Sequence, residues 1–85
     1  MKYRLSPSAE KQLSKSSNDL QKKFTKQLRF LLKDPRYPSL RSRKMEGENK
    51  FEARIDFHNR FTYLIDTEEI LILTIGPHHV GLGKK

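Results

Sequence analysis

Four side chains of this 85-residue chain have the chemistry to act on a phosphate: Glu52, Arg54, Arg60 and His78. Arginine stays charged and presents forked donors that fit a phosphate, and histidine can donate a proton near neutral pH. Phosphodiester cleavage in RNA needs no metal ion when the adjacent 2′-hydroxyl is the nucleophile, because the protein then aligns it, assists proton transfer and stabilises charge. In such a reaction the two arginines would stabilise the phosphate, and His78 or its neighbour His79 would protonate the leaving oxygen.

Each of these residues also has an ordinary structural explanation. A glutamate and an arginine on one strand face often form a surface ion pair of little energetic value, and histidines after Gly-Pro often lie in a solvated turn. The sequence has no glycine-rich phosphate loop, no spaced set of metal ligands and no cysteine. We therefore expect no metal site, no cofactor and no disulfide.

A β-hairpin must position the glutamate and the two arginines. Residues 51–57 alternate apolar with polar side chains, and residues 61–65 continue the alternation, which predicts two strands with one buried face. A slip of one residue between the strands would turn every side chain to the other face. A three-residue turn over residues 58–60 keeps the apolar sets together, with Asn59 as its left-handed residue. The predicted partners are Phe57 with Phe61 and Ile55 with Tyr63.

The direction of the charged side chains follows from this pairing. The apolar face packs against helices, so Glu52, Arg54 and Arg60 are expected to project from the opposite face of the sheet. Residues 70–75 are apolar at nearly every position and predict a central strand buried on both faces.

Two helices precede the hairpin. Residues 1–5 are typical of a short strand, and Ser6-Pro7 can start a helix that runs to about Lys15. A second helix, capped by Asn18, should end before Pro35. The sequence thus predicts one α+β domain over residues 1–85, in which an N-terminal strand and a helical hairpin pack on one face of a twisted antiparallel sheet.

Positive charge is concentrated in the first half of the chain. The formal net charge is +8, and residues 1–50 hold fourteen of the eighteen basic side chains. Such a surface attracts polyanions, although lysines also keep small domains in solution. No apolar run is long enough for a membrane span and no signal peptide is recognisable, so we expect a cytoplasmic protein.

Two basic segments are candidates for RNA contact. One is a stripe on the second helix, opposite its apolar face, and the other is the loop over residues 36–44, where Tyr37 adds a stacking surface. An ordinary solvated helix face and a solvated loop remain alternatives. The candidate RNA-binding residues are Lys22, Lys26, Arg29, Lys33, Arg41, Arg43 and Lys44.

The ordered set of segments resembles the RelE/ParE superfamily of toxins from bacterial and archaeal toxin–antitoxin systems. The resemblance covers nearly the whole chain and is carried by YRLSPSAEKQL, DPRYPSLRSRKMEG, FEARIDFHNRFTYLI and ILILTIGPHH. It implies a helical hairpin on a twisted antiparallel sheet. RelE-like members cleave mRNA in the ribosomal A site without metal, whereas ParE-like members inhibit DNA gyrase.

The resemblance also assigns roles to single residues. Arg60 matches the arginine that such ribonucleases use on the scissile phosphate, Arg54 matches a basic strand position, and His78 matches the Arg or His after the last strand's glycine. Two features depart from the family pattern: Glu52 stands where a lysine is frequent, and the tyrosine found near the end of many members is missing. In the expected reaction Glu52 is a base or an orienting group.

The resemblance implies a toxin that acts as a ribosome-dependent mRNA endonuclease and inhibits translation. Its expected partners are a cognate antitoxin, mRNA and ribosomal RNA, with no membrane and no small-molecule cofactor. Two alternatives stay open: a non-catalytic, ParE-like inhibitor of DNA gyrase, and a non-toxic relative that retains only antitoxin binding.

Overall fold

A computed structural model describes residues 2–45 and 49–77, which form two helices and a mixed five-stranded sheet. The predicted α+β fold class is confirmed. The elements are β1 (Lys2–Leu5), α1 (Pro7–Ser14), α2 (Asn18–Lys33), a 3₁₀ helix (Pro38–Leu40), β2 (Arg43–Lys44), β3 (Lys50–Arg54), β4 (Asn59–Asp66) and β5 (Glu69–Pro77).

The sheet order is β1-β5-β4-β3-β2. Its neighbours are antiparallel except β1 and β5, which run parallel, so the expectation of a purely antiparallel sheet was wrong at this edge. A tight turn between consecutive strands makes them antiparallel. Because nearly the whole described chain separates β1 from β5, their connection does not impose that direction. Within the described ranges, no helix is long and apolar enough to cross a membrane.

The helix starts depend on serine caps. The Ser6 hydroxyl accepts a hydrogen bond from the Ala9 amide, as predicted. For α2 the prediction of Asn18 was wrong, because Ser17 caps the helix by accepting from the Leu20 amide. Gln21 is used instead to close the turn between the helices, where its amide donates to the carbonyl oxygens of α1 and the turn.

The core lies between α2 and one face of the sheet. The predicted apolar stripe of α2 is confirmed, since Phe24, Leu28 and Leu31 are buried. The Phe24 ring meets Phe61 of β4 edge-on, with 5.3 Å between ring centroids. The face of the sheet that carries Phe61 is therefore the face covered by the helices.

A bulge in β5 lets three isoleucines share this buried face. Thr62 pairs with Thr74 and Tyr63 with Ile72, so Leu73 is the extra residue. Ile70, Ile72 and Ile75 are all buried as a result, whereas Leu71 and Leu73 are half-buried. The strand has neighbours on both sides, but the prediction that both of its faces are buried was wrong, because the helices cover one face.

Polar groups of the bulge are satisfied from the N-terminal part of the chain. The Ser6 hydroxyl donates to the carbonyl oxygen of Leu73 at 2.8 Å, and the amide of Ile75 donates to Gln12 Oε1 at 2.7 Å. Backbone groups that leave the strand ladder are costly when buried without partners. The register of β5 therefore depends on the segment that begins α1.

The hairpin turn differs from the prediction. Arg54 pairs with Arg60 and Ala53 with Phe61, so the turn lies over residues 55–58, and the predicted pairing of Phe57 with Phe61 was wrong. Phe57 is at the tip with its side chain 77% exposed. Asn59 has no positive φ; among described residues other than glycine, only Arg41 and Thr67 do.

Candidate phosphate-binding site

Arg54 and Arg60 are directly opposite each other on β3 and β4. Their neighbours in the ladder, Ala53 and Phe61, are fully buried beneath α2. Because successive side chains of a strand point to opposite faces, the two arginines lie on the face away from the helices, as predicted. Like charges directly opposite in a sheet repel each other, so this pair lowers stability unless something anionic binds there.

Arg41 adds a third positive charge to the arginine pair. Burial lowers the pKa of the Arg54 guanidinium, and the charges of Arg41 and Arg60 lower this pKa further. Within residues 2–45 and 49–77, the Nε atom of Arg54 is buried and has no hydrogen-bond partner. A buried donor without a partner is unusual in a folded protein, and a phosphate oxygen would satisfy both the donor and the charge.

A buried glutamine holds Arg54 near Arg41. Gln27 of α2 donates through Nε2 to the carbonyl oxygen of Arg54 at 2.7 Å and to that of Ser39 at 3.0 Å. Ser39 returns a hydrogen bond from its hydroxyl to Gln27 Oε1. One amide group therefore joins the end of β3 to the 3₁₀ helix, two residues before Arg41, which has left-handed backbone with φ of 47°. Sequence patterns give Gln27 no functional role; its one distinguishing feature there is an amide beside the apolar residues of the helix.

The turn at residues 55–58 positions Arg60. The Asp56 carboxylate accepts hydrogen bonds from the backbone amides of His58 and Asn59 and from the Asn59 side chain. Arg60 Nη1 donates to the carbonyl oxygen of Asp56 at 3.2 Å. The guanidinium of Arg60 is thus attached to a turn that Asp56 closes.

Asp56 makes hairpin stability depend on pH. Burial alone would raise the pKa of its carboxyl, but hydrogen bonds from Asn59 and His58, together with the Lys23 charge, bring this pKa below the usual 3.8. A carboxyl with a depressed folded-state pKa stabilises the fold above its unfolded-state pKa, and this contribution is lost as pH falls through the folded-state value.

We predict that Asp56→Ala lowers the free energy of unfolding by about 2 kcal/mol at pH 7, because hydrogen bonds to a charged group are lost. The difference from wild type should shrink as the pH is lowered from 5 to 2.5 in urea unfolding. The control is Glu68→Ala, which removes an exposed carboxylate. A constant difference across this pH range would contradict the role of Asp56.

Glu52 lies on the same face as the arginines but does not project into solvent. Its side chain is 4% exposed, and Oε1 is 3.3 Å from Nε of Arg43, its cross-strand partner. The expectation of an open, projecting carboxylate was therefore wrong. Arg43, proposed for RNA contact, holds β2 to β3 through this ion pair and still has a side chain that is 65% exposed.

The basic residues of α2 and Lys44 are not gathered at the arginines. Four basic residues form what we call the α2 stripe: Lys22, Lys26, Arg29 and Lys33. The α2 stripe is exposed on the side of the helix away from the core, and Lys44 is exposed on the two-residue edge strand β2. His78 lies outside the described residues. Among the residues that are described, no three His, Asp or Glu side chains are grouped to hold a metal ion.

Similarity to known proteins is found in structure and not in sequence. No protein-family model matches the chain, and no curated protein matches it. The YoeB/ParE toxin from Agrobacterium tumefaciens superposes with a TM-score of 0.81 over 92% of this chain and 99% of its own, at 15% identity. The fold is that of the RelE/ParE toxins.

Two further structures with the RelE/ParE fold come from complexes. The archaeal RelE–RelB complex from Pyrococcus horikoshii matches with a TM-score of 0.77 at 20% identity, over 89% of this chain and 92% of that one. The heterotetrameric YoeB–YefM toxin–antitoxin complex from Staphylococcus aureus matches with a TM-score of 0.78 at 18% identity, over 92% and 97%. Since these identities are low, the RelE/ParE likeness confirms the predicted fold, and activity must be argued from the site.

Proposed function

We propose that this chain is the toxin of a toxin–antitoxin pair and acts as a metal-independent, ribosome-dependent mRNA endonuclease that inhibits translation. The observation that carries the proposal is the Arg54–Arg60 pair on the open face of the sheet, with Arg41 nearby and Arg54 Nε buried without a hydrogen-bond partner among the described residues. Three neighbouring guanidinium groups complement the negative charge that accumulates on the phosphorane oxygens during cleavage.

In the proposed reaction the 2′-hydroxyl of the mRNA loses its proton to solvent water and attacks the adjacent phosphorus, and the bond from phosphorus to the 5′-oxygen breaks. The products are a 2′,3′-cyclic phosphate and a 5′-hydroxyl. Arg60 and Arg54 stabilise the negative oxygens of the phosphorane, and His78 donates the proton that the leaving 5′-oxygen takes. Glu52 acts as an orienting group, because its carboxylate is buried and holds Arg43.

The α2 stripe supports binding to ribosomal RNA. Its four cations follow one another at spacings of three or four residues, so each faces another positive charge on the helix surface. Like charges at these spacings destabilise a helix by a few tenths of a kcal/mol per pair. In the proposal, contacts with RNA phosphates offset this cost. The basic loop residues Arg41, Arg43 and Lys44 make further phosphate contacts.

We predict that the double variant Lys26→Gln, Arg29→Gln makes the affinity for the ribosome less dependent on salt concentration. The slope of log affinity against log salt should fall by about 1.5, because two phosphate contacts are lost. The control is Lys11→Gln on α1 together with Lys15→Gln just beyond its end, which removes the same charge from a different surface. Equal slopes for the two double variants in a sedimentation assay over several KCl concentrations would contradict RNA contact by the stripe.

A cognate antitoxin completes the proposal. The similar structures from Pyrococcus horikoshii and Staphylococcus aureus are complexes with RelB and YefM. We propose a partner whose acidic residues cover the three arginines and block access to RNA. Purification of the tagged chain from its own host should recover a small acidic protein encoded beside it, and recovery of none would contradict this part of the proposal.

The deciding experiment is in vitro translation followed by toeprinting. Wild-type protein should cleave mRNA in the ribosomal A site, and intact mRNA would overturn the proposed activity. A DNA supercoiling assay run with the same preparation identifies the ParE-like alternative if gyrase is inhibited and mRNA is not cut. Normal growth on induced expression without the antitoxin would instead identify a non-toxic relative.

A further inference from the structure

A groove of about 530 Å³ opens between the loop after α2 and the β2 edge of the sheet. Its volume falls within the range of roughly 300 to 1,000 Å³ that small-molecule sites occupy. We call it the aromatic groove, because three of its lining residues are Tyr37, Phe51 and Tyr63. The sequence predicts RNA contact by the loop over residues 36–44, with Tyr37 as a stacking surface, and the groove adds Phe51 and Tyr63 of the sheet to that surface.

The rings of the aromatic groove are fixed by contacts beneath them. Tyr37 stacks on Phe30 of α2, with 4.1 Å between ring centroids and 10° between ring planes, and remains 39% exposed. Phe51 stacks on Tyr63, whose hydroxyl donates to Ser42 Oγ at 3.1 Å. Burial raises the pKa of this Tyr63 hydroxyl, which therefore stays neutral. A planar ligand would meet a rigid aromatic surface that loses little freedom on binding.

The charge of the aromatic groove selects an anionic ligand. Among the lining residues in the described part of the chain, none is a carboxylate and four are cations: Arg36, Arg41, Arg43 and Lys44. A nucleotide combines a negative charge with a planar ring, and bases stack on aromatic side chains whatever their sequence. An acidic peptide shares the negative charge but uses the ring surfaces less well.

Arg41 connects the aromatic groove to the arginine pair. It lines the groove, and the hydrogen bonds of Gln27 to the carbonyl oxygens of Ser39 and Arg54 hold its segment beside the end of β3. Phe51 and Tyr63 lie on the helix-side face of the sheet, whereas Arg54 and Arg60 lie on the other face. A strand whose phosphate contacts Arg41 therefore has to pass round the end of β3 to reach Arg54.

We propose that the aromatic groove binds one nucleotide of single-stranded RNA next to the cleavage site, with its base on Tyr37 and Phe51 and its phosphate at Arg41. The proposal rests on the proposed function, since it names a second subsite for the same RNA. It makes Tyr37 a binding residue that positions the substrate.

The test measures binding without cleavage. The full chain is titrated with a fluorescent five-nucleotide oligoadenylate in which every 2′-hydroxyl is methylated. Tyr37→Ala should weaken binding by at least fivefold, as expected when one stacked base loses its platform. Tyr37→Phe should bind within twofold of wild type. Phe57→Ala, which removes the exposed ring at the hairpin tip outside the groove, should bind like wild type.

Chemical-shift changes locate the bound oligonucleotide independently of the variants. They should centre on Tyr37, Phe51 and Arg41. Unchanged affinity of Tyr37→Ala, or shift changes confined to other surfaces, would overturn the proposal. Stronger competition by a penta-glutamate peptide than by unlabelled oligonucleotide would overturn it in favour of a protein ligand.

The two proposals fail separately. If mRNA stays intact on the ribosome but oligonucleotide binding depends on Tyr37, the nuclease proposal falls and the groove remains a nucleotide site. If mRNA is cut while Tyr37→Ala binds the oligonucleotide like wild type, the groove proposal falls and the nuclease remains.

Discussion

The Arg60→Ala variant should cleave mRNA on the ribosome about 10² to 10³ times more slowly than wild type. A preorganised donor aimed at developing charge typically contributes this much to a transition state. Arg60 faces Arg54 across the hairpin and is attached to the closed turn through the carbonyl oxygen of Asp56, so its guanidinium is preorganised in this sense. Single-turnover cleavage with saturating toxin measures the effect on the chemical step.

Two further variants separate electrostatic charge from forked geometry. Arg60→Lys keeps the charge but offers no planar fork, and it should recover only part of the rate. Lys15→Ala removes one exposed positive charge beyond the end of α1 and should cleave like wild type. Cleavage by Arg60→Ala within threefold of wild type would remove Arg60 from the reaction.

The Phe61→Ala variant should lose about 3 to 5 kcal/mol of its free energy of unfolding. Phe61 is fully buried, meets Phe24 edge-on, and has a centroid 5.8 Å from that of Tyr63. Truncation would leave a cavity where α2 contacts the sheet. Because small domains have total stabilities of about 5 to 10 kcal/mol, this loss would remove about a third or more of the total.

Phe57→Ala is the matched control for this prediction. It removes the same side chain from the same hairpin, but Phe57 is 77% exposed at the tip. Its effect on urea unfolding should stay within about 0.5 kcal/mol. Equal losses from the two variants would mean that the packing between α2 and β4 is not the main source of stability.

The faces of the hairpin could be predicted from sequence, but its turn could not. Alternation assigns each side chain to a face, and this assignment survives any register shift by an even number of residues. The predicted and observed pairings differ by such a shift, so Arg54 and Arg60 lie on the predicted face although Phe57 does not pair with Phe61. The turn depends on the hydrogen bonds of the Asp56 carboxylate, which alternation does not encode.

The composition of the candidate site was less accessible to sequence reasoning. Gln27 and Arg41 enter it through contacts between segments that are far apart in the chain, and neither residue is marked by periodicity. The burial of Glu52 is likewise a tertiary effect, because it depends on pairing with the short edge strand β2. Local patterns predict which way a strand residue points, whereas contacts across the fold decide its neighbours.

The parallel pairing of β1 with β5 has a consequence for the order of folding. Ser6 and Leu73, joined by a hydrogen bond in the bulge, are 67 positions apart in the chain. Long-range pairings of this kind slow folding, because the chain loses the entropy of loop closure before the stabilising contacts can form. During synthesis the first strand has no partner until the last strand has left the exit tunnel. The sheet therefore closes only after β5 has been synthesised, and β1 stays unpaired until then.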